Sequence, residues 1–177
     1  MEDIILYASR YGTARRYAEA LSAQSGLPAL RAADAPPLAD KRTIVYLGGL
    51  YAGNVLGLRK AMRGLSLQDG QRLMLVTVGL TDPDAPGAKE SIRDSLRRQL
   101  PAALFDRAEL YHLRGGIDYA ALSMGHRALM ALMHRSLRGT PPERWTAQDR
   151  AVLETYGEQV DFTDFRALAP ILAQLRR

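Results

Sequence analysis

Apolar positions in this chain fall in short runs separated by helical patterns. Residues 4–7, Ile-Ile-Leu-Tyr, read as a first strand. Residues 13–25 read as a helix stopped by Gly26 and Pro28. Residues 30–33 predict a second strand before the Pro36-Pro37 loop, and residues 43–47 a third, closed by Gly48-Gly49. Residues 56–65 are helical in pattern. Residues 72–78 form a fourth strand ended by Gly79. Residues 88–100 carry Ile92, Leu96 and Leu100 at helical spacing, and residues 108–113 are a fifth strand before Gly115-Gly116. Near-continuous apolar strands alternating with helices predict an α/β fold: a doubly wound parallel sheet of five strands, covered on both faces.

The rest departs from that rhythm. Residues 119–137 predict one long helix, broken by Thr140-Pro141-Pro142. Thr146 followed by Asp149 has the spacing of a capped helix start. Asp161-Phe162-Thr163 precedes a last helix. Residues 118–160 therefore read as a helical insertion within a single domain, 1–177. On the long helix Leu122, His126, Leu129, Met130, Met133 and Leu137 share one face, while Arg127, His134 and Arg138 lie roughly opposite with Arg135 beside them. Such a basic amphipathic helix suits an anionic membrane surface. A helix packed on the domain with a solvated basic face gives the same pattern. It could also cover a site that admits a hydrophobic, carboxylate-bearing substrate or a quinone. His126 and His134 are candidate proton carriers, though His126 on the apolar face equally suits a satisfied interface histidine.

Composition narrows the chemistry. The 177 residues are 47% hydrophobic, enough for a sizeable core. There is no cysteine, which excludes disulfides, thiolate metal sites and thiol redox chemistry, and three histidines make a metal site an unlooked-for outcome. Redox chemistry would need an organic cofactor. No window approaches a membrane span, and the acidic start Met1-Glu2-Asp3 is unlike a signal peptide, so the expectation is a cytoplasmic protein, or one peripheral to the inner face of the membrane. The net charge is +5, almost all of the basic residues being arginine. Arginine suits bidentate anion binding; an Arg-rich genome would leave the same bias. No nucleic acid partner is expected.

Open parallel sheets bind ligands beyond the carboxyl ends of their strands, where strand order reverses. Three loops lie there. The first runs Ser9, Arg10, Tyr11, Gly12, Thr13, Ala14 into a helix N-terminus, an anion site with two hydroxyls and a glycine for close approach. It has no Walker lysine and no Gly-x-Gly-x-x-Gly spacing, and a plain strand-to-helix turn would look the same. The second follows the third strand: Gly48 and Gly49, then Leu50, Tyr51, Ala52, Gly53 and Asn54, which offer glycine backbone and an aromatic cover. The third is Gly79, Leu80, Thr81, Asp82.

"YASRYGTARRYAEAL", "GGLYAG", "VGLTDP", "LRGGIDYAALS" and "DFTDF", in that order and spacing, resemble the flavodoxin-domain family across nearly the whole chain. Within it the nearest branch is that of menaquinone-linked protoporphyrinogen dehydrogenases. The resemblance implies a flavodoxin-like fold with strand order 2-1-3-4-5 and non-covalent FMN. By position, Ser9 to Ala14 would hold the FMN phosphate. Leu50 to Asn54 would flank one side of the isoalloxazine, with Tyr51 packing on it, and Gly79 to Asp82 would approach from the other side. The family often carries Ser-Thr after the loop glycine, where this chain has Thr13-Ala14. One lost hydroxyl is worth about 0.5–1.5 kcal/mol, weakening FMN binding roughly tenfold or less. Arg114, at the end of the fifth strand, is a candidate partner for a substrate carboxylate.

The function so implied is FMN-dependent oxidation of protoporphyrinogen or a similar hydrophobic substrate, in haem biosynthesis, with a quinone as acceptor and the flavin carrying the chemistry. Two alternatives share the fold. A flavodoxin-like electron carrier fits less well, since such carriers are typically acidic. A flavin-free regulatory domain would rest on Ala14 alone. A receiver domain is disfavoured because the third strand ends in Gly48-Gly49 without a phosphoacceptor aspartate. A homodimer stays open.

Overall fold

The computed structural model describes residues 2–51 and 53–177. Five parallel strands make the main sheet: β1 (Glu2–Ala8), β2 (Ala29–Arg31), β3 (Lys41–Tyr51), β5 (Arg72–Gly79) and β6 (Ala108–Arg114). Their order is β2-β1-β3-β5-β6, with the short strand β4 (Asn54–Val55) folded back antiparallel on β3. This is the expected 2-1-3-4-5 arrangement, for which flavodoxin is the standard example. Order reverses between β1 and β3.

The apolar runs are continuous because both faces are covered. On one face Leu6, Ile44, Tyr46 and Leu75 pack against α2 (Leu58–Ala61) and α3 (Ala88–Gln99), with α4 (Ala102–Phe105) adding Leu104 and Phe105. On the other, Ile5, Val45, Leu47 and Val76 pack against α1 (Thr13–Ser25) and α7 (Ala169–Leu175). Alternate residues of one strand thus serve opposite cores.

Within the main sheet and the helices that cross it, some boundaries depart from expectation. The third strand continues past Gly48-Gly49 to Tyr51, because those glycines stay in the ladder, Gly48 opposite Ala8 and Thr77 and Gly49 opposite Val78. Glycine is needed at 48 for packing: a Cβ there would clash with Val55 Cγ1. The turn falls instead at Gly53, whose φ is 76°. The helix expected over 56–65 is one turn, Leu58–Ala61. The second strand is Ala29–Arg31, followed by a 3-10 turn.

Between β6 and α7 the chain builds a small antiparallel sheet, β7 (Gly116–Asp118) on β8 (Gln159–Asp161), with α5 (Met124–Arg138) and α6 (Ala147–Thr155) between them. The helix expected from 119 starts later. Asp118 accepts hydrogen bonds from the Ala120 and Ala121 amides, forming a 3-10 turn, and Ser123 caps α5. Leu122 therefore precedes the helix but is still buried with Met130 and Val152. Thr146 and Asp149 make a reciprocal capping box at the start of α6. No helix among the described residues is long and apolar enough to cross a membrane.

His112 on β6 is half-buried and hydrogen-bonded through Nδ1 to Thr77 Oγ1 at 2.8 Å. Burial, then the nearby Lys89 charge, lowers its pKa from 6.5 to about 4. The unfolded chain therefore binds the proton first, and stability falls as pH drops through 6.5 toward 4. Between pH 7 and pH 5 we expect a loss of about 1–2 kcal/mol, after discounting for solvent access. Urea melts at the two pH values check this. In His112→Asn the pH-dependent loss should shrink by that amount, and an equal loss would remove His112 as its source.

Candidate functional site

The carboxyl ends of β1, β3 and β5 open into one cavity of about 130 Å³. Its first wall is the loop between β1 and α1. Gly12 takes φ 92° to turn the chain into the helix, and its N–H donates to Ser9 Oγ at 3.1 Å. Gly12 has no side chain to cap α1, so the first-turn amides face the loop uncapped. The hydroxyl-bearing side chains of Ser9 and Thr13 line the same wall, and uncapped amides beside hydroxyls are the donors an anion would need. Ala14, with its side chain buried in the core, lines the cavity and presents no hydroxyl.

The second wall is the end of β3. Gly49, Leu50 and Tyr51 line the cavity. The β4 return is pinned from behind: Val55 N–H donates to the buried Gln99 Oε1 at 2.9 Å, and Ser95 Oγ donates to the Gly53 carbonyl. The Tyr51 hydroxyl is buried with no partner among the described residues. Its pKa is raised, chiefly by burial and then by the neighbouring Tyr11. An unsatisfied buried hydroxyl costs about 1–3 kcal/mol, and a polar ligand atom at this wall would remove that cost.

Gly79, Leu80 and Thr81 form the third wall, with Gly115 beside them, its N–H donating to the Gly79 carbonyl at 2.7 Å. A Cβ at Gly79 would lie 3.2 Å from Leu50 Cβ, and one at Gly115 3.1 Å from Thr13 Cγ2. Glycine at both positions lets three loops converge on one narrow slot.

The structure thus brings together Ser9, Arg10, Tyr11, Thr13, Ala14, Leu50, Tyr51, Gly79, Leu80 and Thr81. Gly12 shapes the first wall without lining it, and Gly53 and Asn54 stand at the hairpin tip away from the cavity. Ala52 lies outside the described residues. Asp82 and Arg114 do not line this cavity; they border another of about 590 Å³ between the β5–α3 loop and α6. Arg114 is occupied there: Nε donates to the Leu80 carbonyl at 3.2 Å, and the guanidinium lies 3.7 Å over the Phe162 ring. Arg10 is the cation that lines the main cavity.

The α6 part of the roof was not legible as a site. Ile117 of β7, Leu122, Met130 and Met133 of the α5 region, and Gln148 and Val152 of α6 close the cavity from above. The amphipathic face of α5 foretold Met130 and Met133; α6 carried only its capping signal. His134 departs from the basic stripe expected of it, stacking on Tyr156 at 3.9 Å with a 10° interplanar angle. The arrangement suits a flat ligand with an anionic end: amides and hydroxyls for the anion, glycine backbone and Tyr51 along the ring, and apolar side chains against water.

The chain belongs to the flavodoxin domain family, which it matches over residues 4–143. Its fold is similar to that of an FMN-dependent NADH-azoreductase from Bacillus anthracis, solved in complex with FMN. That similarity is 9% identity over 100% of both chains, at a TM-score of 0.54. Also similar are an archaeal flavodoxin (16% identity, 63% of this chain and 85% of that one, TM-score 0.43) and an NADPH-quinone reductase from P. pentosaceus (16% identity, 90% and 99%, TM-score 0.44). At such identities the similarity concerns the fold. No curated protein matches the sequence.

Proposed function

We propose that the protein is an FMN-dependent oxidoreductase acting on a hydrophobic substrate. The observation that carries this reading is the cavity itself. It joins an uncapped helix N-terminus, three glycine-lined strand ends and an apolar roof at the point where the strand order reverses. The residues fit the cofactor. The α1 amides, Ser9 and Thr13 would hold the phosphate; Gly49 to Tyr51 and Gly79 to Thr81 would flank the ring, and the unpaired Tyr51 hydroxyl would gain a partner. FMN, when bound, supplies two-electron redox chemistry.

The roof side chains Leu122, Met130, Met133 and Val152 would exclude water and seat an apolar substrate. Arg10, which lines the cavity, would meet a substrate carboxylate. The family resemblance, the apolar roof and the net charge of +5 support a protoporphyrinogen-type substrate with a quinone as acceptor. An acidic-surfaced electron carrier is the less favoured reading on the same charge. We extend the proposal to membrane contact. The exposed side of α5 carries Met124 and Leu132 with Arg127, Arg135 and Arg138 and no acidic residue, a combination suited to anionic lipid.

The test is anaerobic mixing of the FMN-loaded protein with protoporphyrinogen. We expect loss of the oxidised flavin absorbance and its return on adding menaquinone. Absorbance that stays constant with protoporphyrinogen, in a protein that holds FMN, would contradict the substrate assignment.

A further inference from the structure

Beside the main cavity, side chains from the β1–α1 loop and from β3 meet on His126, in the first turn of α5. Arg10 Nη1 donates to His126 Nε2, and the Tyr11 hydroxyl meets Nδ1. The imidazole lies 4.7 Å from the Tyr51 ring and 5.6 Å from the Tyr11 ring, centroid to centroid. His126 does not line the cavity; Arg10, Tyr11 and Tyr51 do. With Nε2 accepting from the guanidinium, Nδ1 carries the ring proton and donates to Tyr11 Oη. One neutral ring thus ties the phosphate-side loop, the end of β3 and the roof helix together.

We propose that His126 is a positioning residue, a clasp that sets how readily a flat phosphorylated aromatic ligand enters and leaves. The inference rests on the FMN reading above. Tyr11 and Tyr51 both line the cavity, on the loop and strand end proposed to take the phosphate and the ring, and the same imidazole touches both. The roof keeps its own anchor in the cluster of Leu122, Met130 and Val152, so releasing His126 widens the mouth without unseating α5. The groups facing the ring are Arg10 and Tyr11 from the β1–α1 loop and Tyr51 from β3, and on α5 itself Arg127 is the adjacent charge.

The test compares FMN release, read as fluorescence recovery on dilution, in the wild type, His126→Leu and His126→Gln. Leucine keeps the bulk and removes both hydrogen bonds, so release should quicken about tenfold. Glutamine offers one amide oxygen and one amide nitrogen for the two ring nitrogens and should restore slow release. Leucine as slow as the wild type, or glutamine as fast as leucine, would overturn the clasp. Amide exchange in the protein without FMN decides separately. Residues 9–12 and 124–130 should exchange faster in His126→Leu than in the other two proteins, and equal rates would overturn the clasp. A wild type that takes up no FMN would count against the functional reading, while the exchange experiment would still decide the clasp.

Discussion

Gly12→Asp should weaken FMN binding at least ~30-fold. The substitution places a carboxylate at the cap position of α1, where the amides of the first turn and the Ser9 and Thr13 hydroxyls would hold the phosphate. Two like charges about 5 Å apart near a protein surface repel by roughly 3 kcal/mol. The side chain can also accept from the first-turn amides itself, as Asp does at helix N-caps, and so compete with the phosphate. No atom lies within 4 Å of a Cβ at this position, so the fold has room for the change, although φ 92° adds local strain. Fluorescence titration with FMN measures the effect, and circular dichroism shows that the fold persists. Gly12→Ala separates the causes: it carries the strain without the charge and should lose much less affinity. Equal affinities for wild type and Gly12→Asp would move the phosphate away from this loop.

Leu47→Ala should destabilise the protein by about 2–5 kcal/mol. Leu47 is fully buried on the central strand β3, paired with Tyr7 on one side and Val76 on the other, within the core under α1 and α7. The lost side chain leaves a cavity ringed by regular structure that cannot collapse to fill it. A loss of that size is a large part of the about 5–15 kcal/mol by which proteins are stable. The urea midpoint should fall with an unchanged slope. A shift under about 1 kcal/mol would mean that this strand is less central than its pairing indicates.

The five parallel strands were legible because each is a run of apolar residues buried on both faces, as Ile44-Val45-Tyr46-Leu47 shows. The three loops that line the cavity were legible for a related reason: glycines mark the strand ends, and a strand-to-helix turn leaves backbone amides uncapped. The end of β3 was misread because glycine signals two things. At Gly53 it makes a turn, while at Gly48 it clears space for Val55, and the sequence does not distinguish them. The start of α5 was misread because apolar periodicity passes smoothly through Leu122, while Asp118 and Ser123 redirect the backbone by local hydrogen bonds. Arg114 follows the cavity-lining strand ends in sequence, but its side chain stacks on Phe162 and lines the neighbouring cavity, a direction that no sequence pattern encodes. The roof from α6 was illegible as a site. Gln148 and Val152 reach the cavity only through the docking of α6, which no short-range pattern encodes.

The central claim is that the cavity at the ends of β1, β3 and β5 holds FMN. Titrating FMN with the purified protein and following flavin fluorescence tests it most directly. The account predicts saturable quenching at one FMN per chain, lost in step with affinity in Gly12→Asp. FMN fluorescence that stays unchanged at micromolar protein would contradict it.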